Sequence, residues 1–190
     1  VGIRVFSLVF MPADALSRGV EAMTGQNIGS RSPERARTVN RLASAYSFVL
    51  LTGIGIVTFL FADAIAGASS PKPAVVSTGA EFLRIVALSF GFIGIIKSIS
   101  GGFRGVGETL VAALIAVFSI GIVRIPMALV GGLNFGPVGV WWAFPLSNML
   151  GAVLAIVLFY RDDWSDQRVS DVERAAGQVV DDVEDIDDTF

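Results

Sequence analysis

Asp14, Arg18 and Glu21 are the residues of this chain best placed for chemistry. They stand four and three apart, so a helix carries all three on one face. The stretch around them, Ile3 to Met23, is otherwise apolar apart from Arg4. A charge inside an apolar, membrane-length segment is costly and calls for a partner or a function. Two readings stay open. The stripe faces an aqueous cavity, where a carboxylate exchanges a proton or holds a cationic solute, or it neutralises itself, at a span end or in the headgroup layer. Arg124, in IGIVRIPMALV, is a further deep charge. It either bonds backbone carbonyls freed by the nearby Pro126 or faces the same cavity. Glu81 and Arg84, three apart, are expected to pair or to snorkel to the interface.

GGFRGVGET, Gly101 to Thr109, comes close to a phosphate-binding loop, G-x-x-x-x-G-K-[ST]. Glu108 stands where that pattern needs Lys and would repel phosphate, and an apolar span precedes the loop instead of a soluble strand. No nucleotide is expected there. The reading is a tight turn in which Gly101, Gly102, Gly105 and Gly107 permit positive φ and close backbone approach. Glu108 then sits at the positive end of the next helix dipole, with Arg104 pairing to it or to lipid phosphate.

These residues must be positioned by helices in a bilayer. Hydrophobic residues make up 53% of the 190, charged ones 16%, and mean hydropathy is +0.69. A soluble domain carries about 25% charged residues. Cys and His are absent, which excludes disulfides, thiol chemistry and imidazole acid–base or metal sites. No metal site is expected, and with no paired carboxylates in mid-span an enzyme is not expected either. Five segments suit membrane spans of about 20 residues: 3–23, 42–62, 75–98, 109–133 and 138–160. The fold class is therefore all-α, a polytopic membrane helix bundle over residues 1–164. The chain begins with Val and shows no signal-peptide pattern at its start.

Charge is uneven along the chain. Residues 1–160 carry 11 Lys and Arg against 6 Asp and Glu; residues 161–190 carry 3 Arg against 11 acids. The segment 165–190 reads as a solvated acidic tail, disordered or loosely helical. The connection SRSPERARTVNR holds Arg31, Arg35, Arg37 and Arg41, and KSISGGFRGVGET holds Lys97 and Arg104. The positive-inside rule places both connections, and with them the tail, in the cytoplasm of a multi-pass cell-membrane protein. Trp141 and Trp142 at one end of the last span, and Tyr160 and Trp164 at the other, suit the two interfaces.

The loops taken together resemble the multidrug and toxic compound extrusion (MATE) family. GQNIGSRSPERAR matches its G-Q-x-x-G-A loop through Gly25, Gln26, Gly29, Pro33, Glu34, Arg35 and Ala36, with Ser30 in place of Ala. LRIVALSF, GGFRGVGET (with Arg104, Gly105, Gly107 and Glu108), VRIPMALV and NFGPVGVWWAFPLSN follow in the family's order. The resemblance implies five transmembrane helices of a six-helix MATE-type lobe, helices eight to twelve of twelve. It implies export of organic cations or other amphipathic solutes against H⁺ or Na⁺, with no cofactor and no nucleic acid. The partners it implies are the bilayer, the solute and an N-terminal lobe. Some members carry an Asp in the third segment, which SFGFIGII lacks, and no family role is carried onto Asp14. The alternatives are a related flippase of lipid-linked oligosaccharides and an incomplete or auxiliary membrane subunit.

Overall fold

The computed structural model describes residues 2–68 and 71–161. The acidic tail and Trp164 lie outside the described residues. Among the described residues seven α-helices follow one another: α1 (Gly2–Gly29), α2 (Pro33–Leu60), α3 (Ala62–Gly67), α4 (Pro73–Ala87), α5 (Phe90–Gly105), α6 (Thr109–Ala116) and α7 (Ile125–Arg161). A π-helical stretch, Val117–Arg124, joins α6 to α7. Among the described residues there is no strand.

The helices are built for a bilayer. α1 and α2 have 28 residues each, about 42 Å at 1.5 Å per residue, against a hydrocarbon core of about 30 Å. α2 and the run Thr109–Arg161 are long and apolar enough to cross a membrane, and α4 with α5, bent by 49°, form a further candidate crossing. The 53-residue run is two arms. Its backbone leaves helical geometry at Gly136, with φ 63° and ψ −149°, a region open essentially to glycine alone. Beyond it the chain folds back so closely that a Cβ on Gly139 would lie 2.1 Å from the Gly131 carbonyl oxygen.

Side-chain distribution agrees. Leu133, Phe135, Leu110, Leu60 and Phe61 are exposed, whereas Ser17, Thr24, Asn40, Ser47, Ser89 and Ser98 are buried. Phe90, Phe103, Leu51 and Ile115 are buried as well, but small and polar residues share the interior while large apolar ones face outward, as in membrane helix packing, where lipid gives apolar side chains no reason to turn inward.

α5 is the axis of this packing. It touches α1 through Gly101 and Gly105: a Cβ on Gly101 would lie 2.4 Å from the Ser17 carbonyl oxygen, and one on Gly105 2.4 Å from that of Glu21. It touches α2 through Gly94 and Gly102, opposite Ser47 and Asn40. The pairings advance together along α1 and α5, which run parallel. They run in opposite order along α2 and α5, which are antiparallel.

Two sequence expectations change here. The run GGFRG was expected to be a turn with positive φ, yet it is helical to Gly105. Of the four glycines of GGFRGVGET only Gly107, beyond the helix, has positive φ, at 83°. The reason is backbone approach: Gly101, Gly102 and Gly105 make room for α1 and α2, which offsets the helix cost of about 1 kcal/mol per glycine. The third segment, read as one span, breaks between Ala87 and Phe90. Ser89 Oγ donates to the Val86 carbonyl at 2.8 Å, the kind of local side-chain bond that bends helices.

Candidate functional site

The two carboxylates of α1, Asp14 and Glu21, are paired, and their partners lie on α5. Lys97 Nζ donates to Asp14 Oδ1 at 2.7 Å, and Arg104 Nε donates to Glu21 Oε2 at 3.0 Å. Ser17 sits between the two pairs, accepting from Arg104 at 2.9 Å and donating to the Lys97 carbonyl at 2.6 Å. Lys97 also lies 5.4 Å from the centre of the Phe10 ring, within cation–π range. The ladder follows from helix periodicity. Asp14, Ser17 and Glu21 share one face of α1, as do Lys97, Gly101 and Arg104 on α5, and parallel helices keep the two rows in step.

The four charged side chains of this ladder are 34–45% exposed. They are within reach of solvent, lipid headgroups or solute, in an otherwise apolar bundle. Arg18 is exposed, so Asp14, Arg18 and Glu21 do not simply neutralise one another: both carboxylates reach across to α5. Arg104, expected to pair with Glu108 or lipid phosphate, takes Glu21; Glu108 immediately precedes α6.

The sequence motifs of the two connections meet at this end of the bundle. A Cβ on Gly25 would lie 3.1 Å from the Gly105 carbonyl oxygen. Gln26 and Gly29 close α1, and Arg35 is exposed in the first turns of α2. One turn along, Asn40 Nδ2 donates to Thr24 Oγ1 at 2.8 Å, tying α2 to α1.

A second polar group centres on Arg124, at the end of the π-helical stretch. Its Nε donates to Ser147 Oγ at 2.9 Å and its Nη2 to Asn148 Oδ1 at 2.6 Å. Its guanidinium lies 4.8 Å from the centre of the Phe144 ring. Asn148 Nδ2 donates to Ser89 Oγ at 3.0 Å, the residue at the α4–α5 break. Arg124 therefore bonds side chains of the second arm of α7, not the carbonyls near Pro126. The other expected pair also changes: Arg84 bonds Asp63 of α3, while Glu81 is exposed. Sequence reading missed Lys97, Ser17, Ser147 and Asn148 as site members. The one available signal was the Ser147–Asn148 pair inside an otherwise apolar span.

The arms of α7 enclose a cleft of about 650 Å³ lined by apolar residues, among them Met127, Phe135, Val138, Trp142 and Leu146. Among the described residues no cluster of three His, Cys, Asp or Glu could hold a metal ion.

An apolar-surfaced helix bundle with small polar contacts inside and a charged ladder between two helices defines a polytopic membrane protein. The MatE family model matches residues 1–130, and the chain belongs to that family. The probable multidrug resistance protein NorM of Thermotoga maritima is 27% identical over 92% of this chain and 38% of its own length. The FAD transporter of Shewanella oneidensis is 23% identical over 84% of this chain and 35% of its own. The crystal structure of the eukaryotic MATE transporter AtDTX14 superposes with a TM-score of 0.81 at 20% identity, over 90% of this chain and 39% of that one. The chain thus spans somewhat over a third of the length of the relatives it matches.

Proposed function

We propose that the chain forms the C-terminal lobe of a secondary active efflux transporter. Paired with an N-terminal lobe, it moves organic cations or other amphipathic solutes outward by alternating access. Inward H⁺ or Na⁺ flow drives the cycle, without nucleotide or cofactor. The protein lies in the cell membrane with the Gly25–Gly105 end in the cytoplasm.

The observation that carries this reading is the half-exposed ladder Asp14–Lys97, Ser17, Glu21–Arg104 in a chain of the MatE family. Each carboxylate is held by one cation and stays reachable from outside the pair. A proton, a sodium ion or a cationic solute competes with Lys97 or Arg104 for it. Such competition gives the ion and the solute differential affinity for two states, which any ligand needs in order to shift a conformational equilibrium. The test is efflux of a cationic dye from vesicles bearing the full-length protein. Efflux should stop when the ion gradient is collapsed; equal efflux without a gradient rejects the reading.

Arg124 supports a second reading, export of an anionic amphipath such as a lipid-linked sugar. Its side-chain hydrogen bonds go to the neutral Ser147 and Asn148, so its positive charge is balanced by neither. Uptake of a labelled anionic lipid in place of the dye separates the two.

A further inference from the structure

The sequence holds one strongly charged element that the transport reading does not use. Residues 162–190 carry 11 Asp and Glu against Arg168 and Arg174, a net charge of −9. At the start of α2 stands an opposite patch: Arg31, Arg35, Arg37 and Arg41, with Glu34 the one acid among residues 30–41, for a net +3. We propose that the acidic segment 162–190 docks on this arginine rim.

Three observations support the docking. The first is where the described chain ends. Tyr160 lines a hollow of about 500 Å³ together with Arg41 and Leu42 of α2, and Phe159 packs in the cluster that contains Ala36. The segment therefore starts beside the rim. Tethering within one chain raises the effective concentration of the two charged groups, to about millimolar for short flexible linkers.

The second is the rim's surface. Arg35 and Arg41 are exposed. Arg35 also borders a hollow of about 440 Å³ whose other lining includes Met23, Thr38, Val39 and Glu34. The rim thus sets Arg41 beside a mainly apolar hollow and Arg35 beside a mixed one, not a bare charge.

The third is the pattern of the segment. Val169, Val172, Ala176, Val179, Val183 and Ile186 recur at alternating steps of three and four. In helical register such a spacing gathers the apolar residues on one stripe and leaves the carboxylates beside it. In that register the stripe would suit the apolar lining of the Tyr160 hollow, and the carboxylates the arginines. Anionic lipid is the rival for the same arginines, and it repels the segment itself.

The chain has no cysteine, so a T38C/Q178C pair can be crosslinked without background. Thr38 is exposed beside Arg35. The full-length protein, with any cysteine outside these residues replaced by serine, is placed in nanodiscs of zwitterionic lipid and treated with a short bifunctional thiol reagent. Charge screening shortens from about 10 Å at 0.1 M salt to about 3 Å at 1 M. The crosslink should form at low salt and fall about fivefold or more at 1 M salt. It should fall as far in R35Q/R41Q and be retained in R35K/R41K, which keeps the charge and controls for folding. No crosslink at low salt, or a yield indifferent to both salt and R35Q/R41Q, overturns the proposal. So does loss of the crosslink on adding phosphatidylglycerol to the discs, which would give the rim to lipid.

Discussion

Glu21 on α1 and Arg104 on α5 join two parallel helices through a hydrogen-bonded ion pair at 3.0 Å. One turn away, Gly25 rests on the Gly105 backbone. Charge and close packing thus act at the same end of the same helix pair. The pair is partly exposed, and such pairs contribute about 0.2–1 kcal/mol in double-mutant cycles. E21Q and R104M, alone and together, should show a coupling in that range by thermal unfolding in detergent. A coupling indistinguishable from zero means that the glycine contacts alone hold α1 to α5.

The glycine contacts can be tested against an internal control. A Cβ on Gly101 would meet the Ser17 carbonyl oxygen at 2.4 Å, while Gly53 in α2 has nothing within 4 Å. G101A should lower stability by about 1–3 kcal/mol through overpacking against backbone. G53A should leave it unchanged or raise it by up to about 1 kcal/mol, the helix-propensity gain over glycine. Equal effects would mean that α1 and α5 are not in backbone contact.

Arg124 uses two different nitrogens on two neighbours. R124A leaves Ser147 and Asn148 short of a donor and should cost about 1–3 kcal/mol. R124K keeps the charge but loses the planar fork that reaches both, so it should recover only part of that loss in the same melting assay. Full recovery by lysine would show that charge alone matters at this position.

Gly136 turns the chain between the two arms of α7 in a conformation confined to glycine. G136A should cost about 1–3 kcal/mol, and proteolysis at the turn should become faster. A wild-type melt for G136A would argue against the tight reversal.

The broad design was legible in the residues, and the pairing was not. Apolar runs bounded by Gly, Pro and Arg marked a membrane helix bundle, and GQNIG and GGFRGVGET marked the family by order and spacing. Periodicity also placed Asp14 and Glu21 on one face. What periodicity cannot give is the partner. Lys97 and Arg104 meet α1 because α5 runs parallel to it in a register set by glycine contacts some 80 residues away in sequence. For the same reason the spacing of Glu81 and Arg84 suggests that they pair or snorkel, whereas the fold of α3 against α4 brings Asp63 to Arg84. Local reading also made GGFRG a turn, because glycine's preference for turns is local and its use in close helix packing depends on what lies opposite.

The claim at the centre of this account is that the polar face of α1 lines the transport route. Arg18 is exposed on that face, and the chain holds no cysteine. In the full-length transporter, with any cysteine outside this chain replaced, R18C should react with a membrane-impermeant thiol reagent, and a transported cationic solute should slow that reaction several-fold. An R18C thiol that stays unlabelled, or that is labelled at a rate no solute changes, would place this face against lipid and contradict the account.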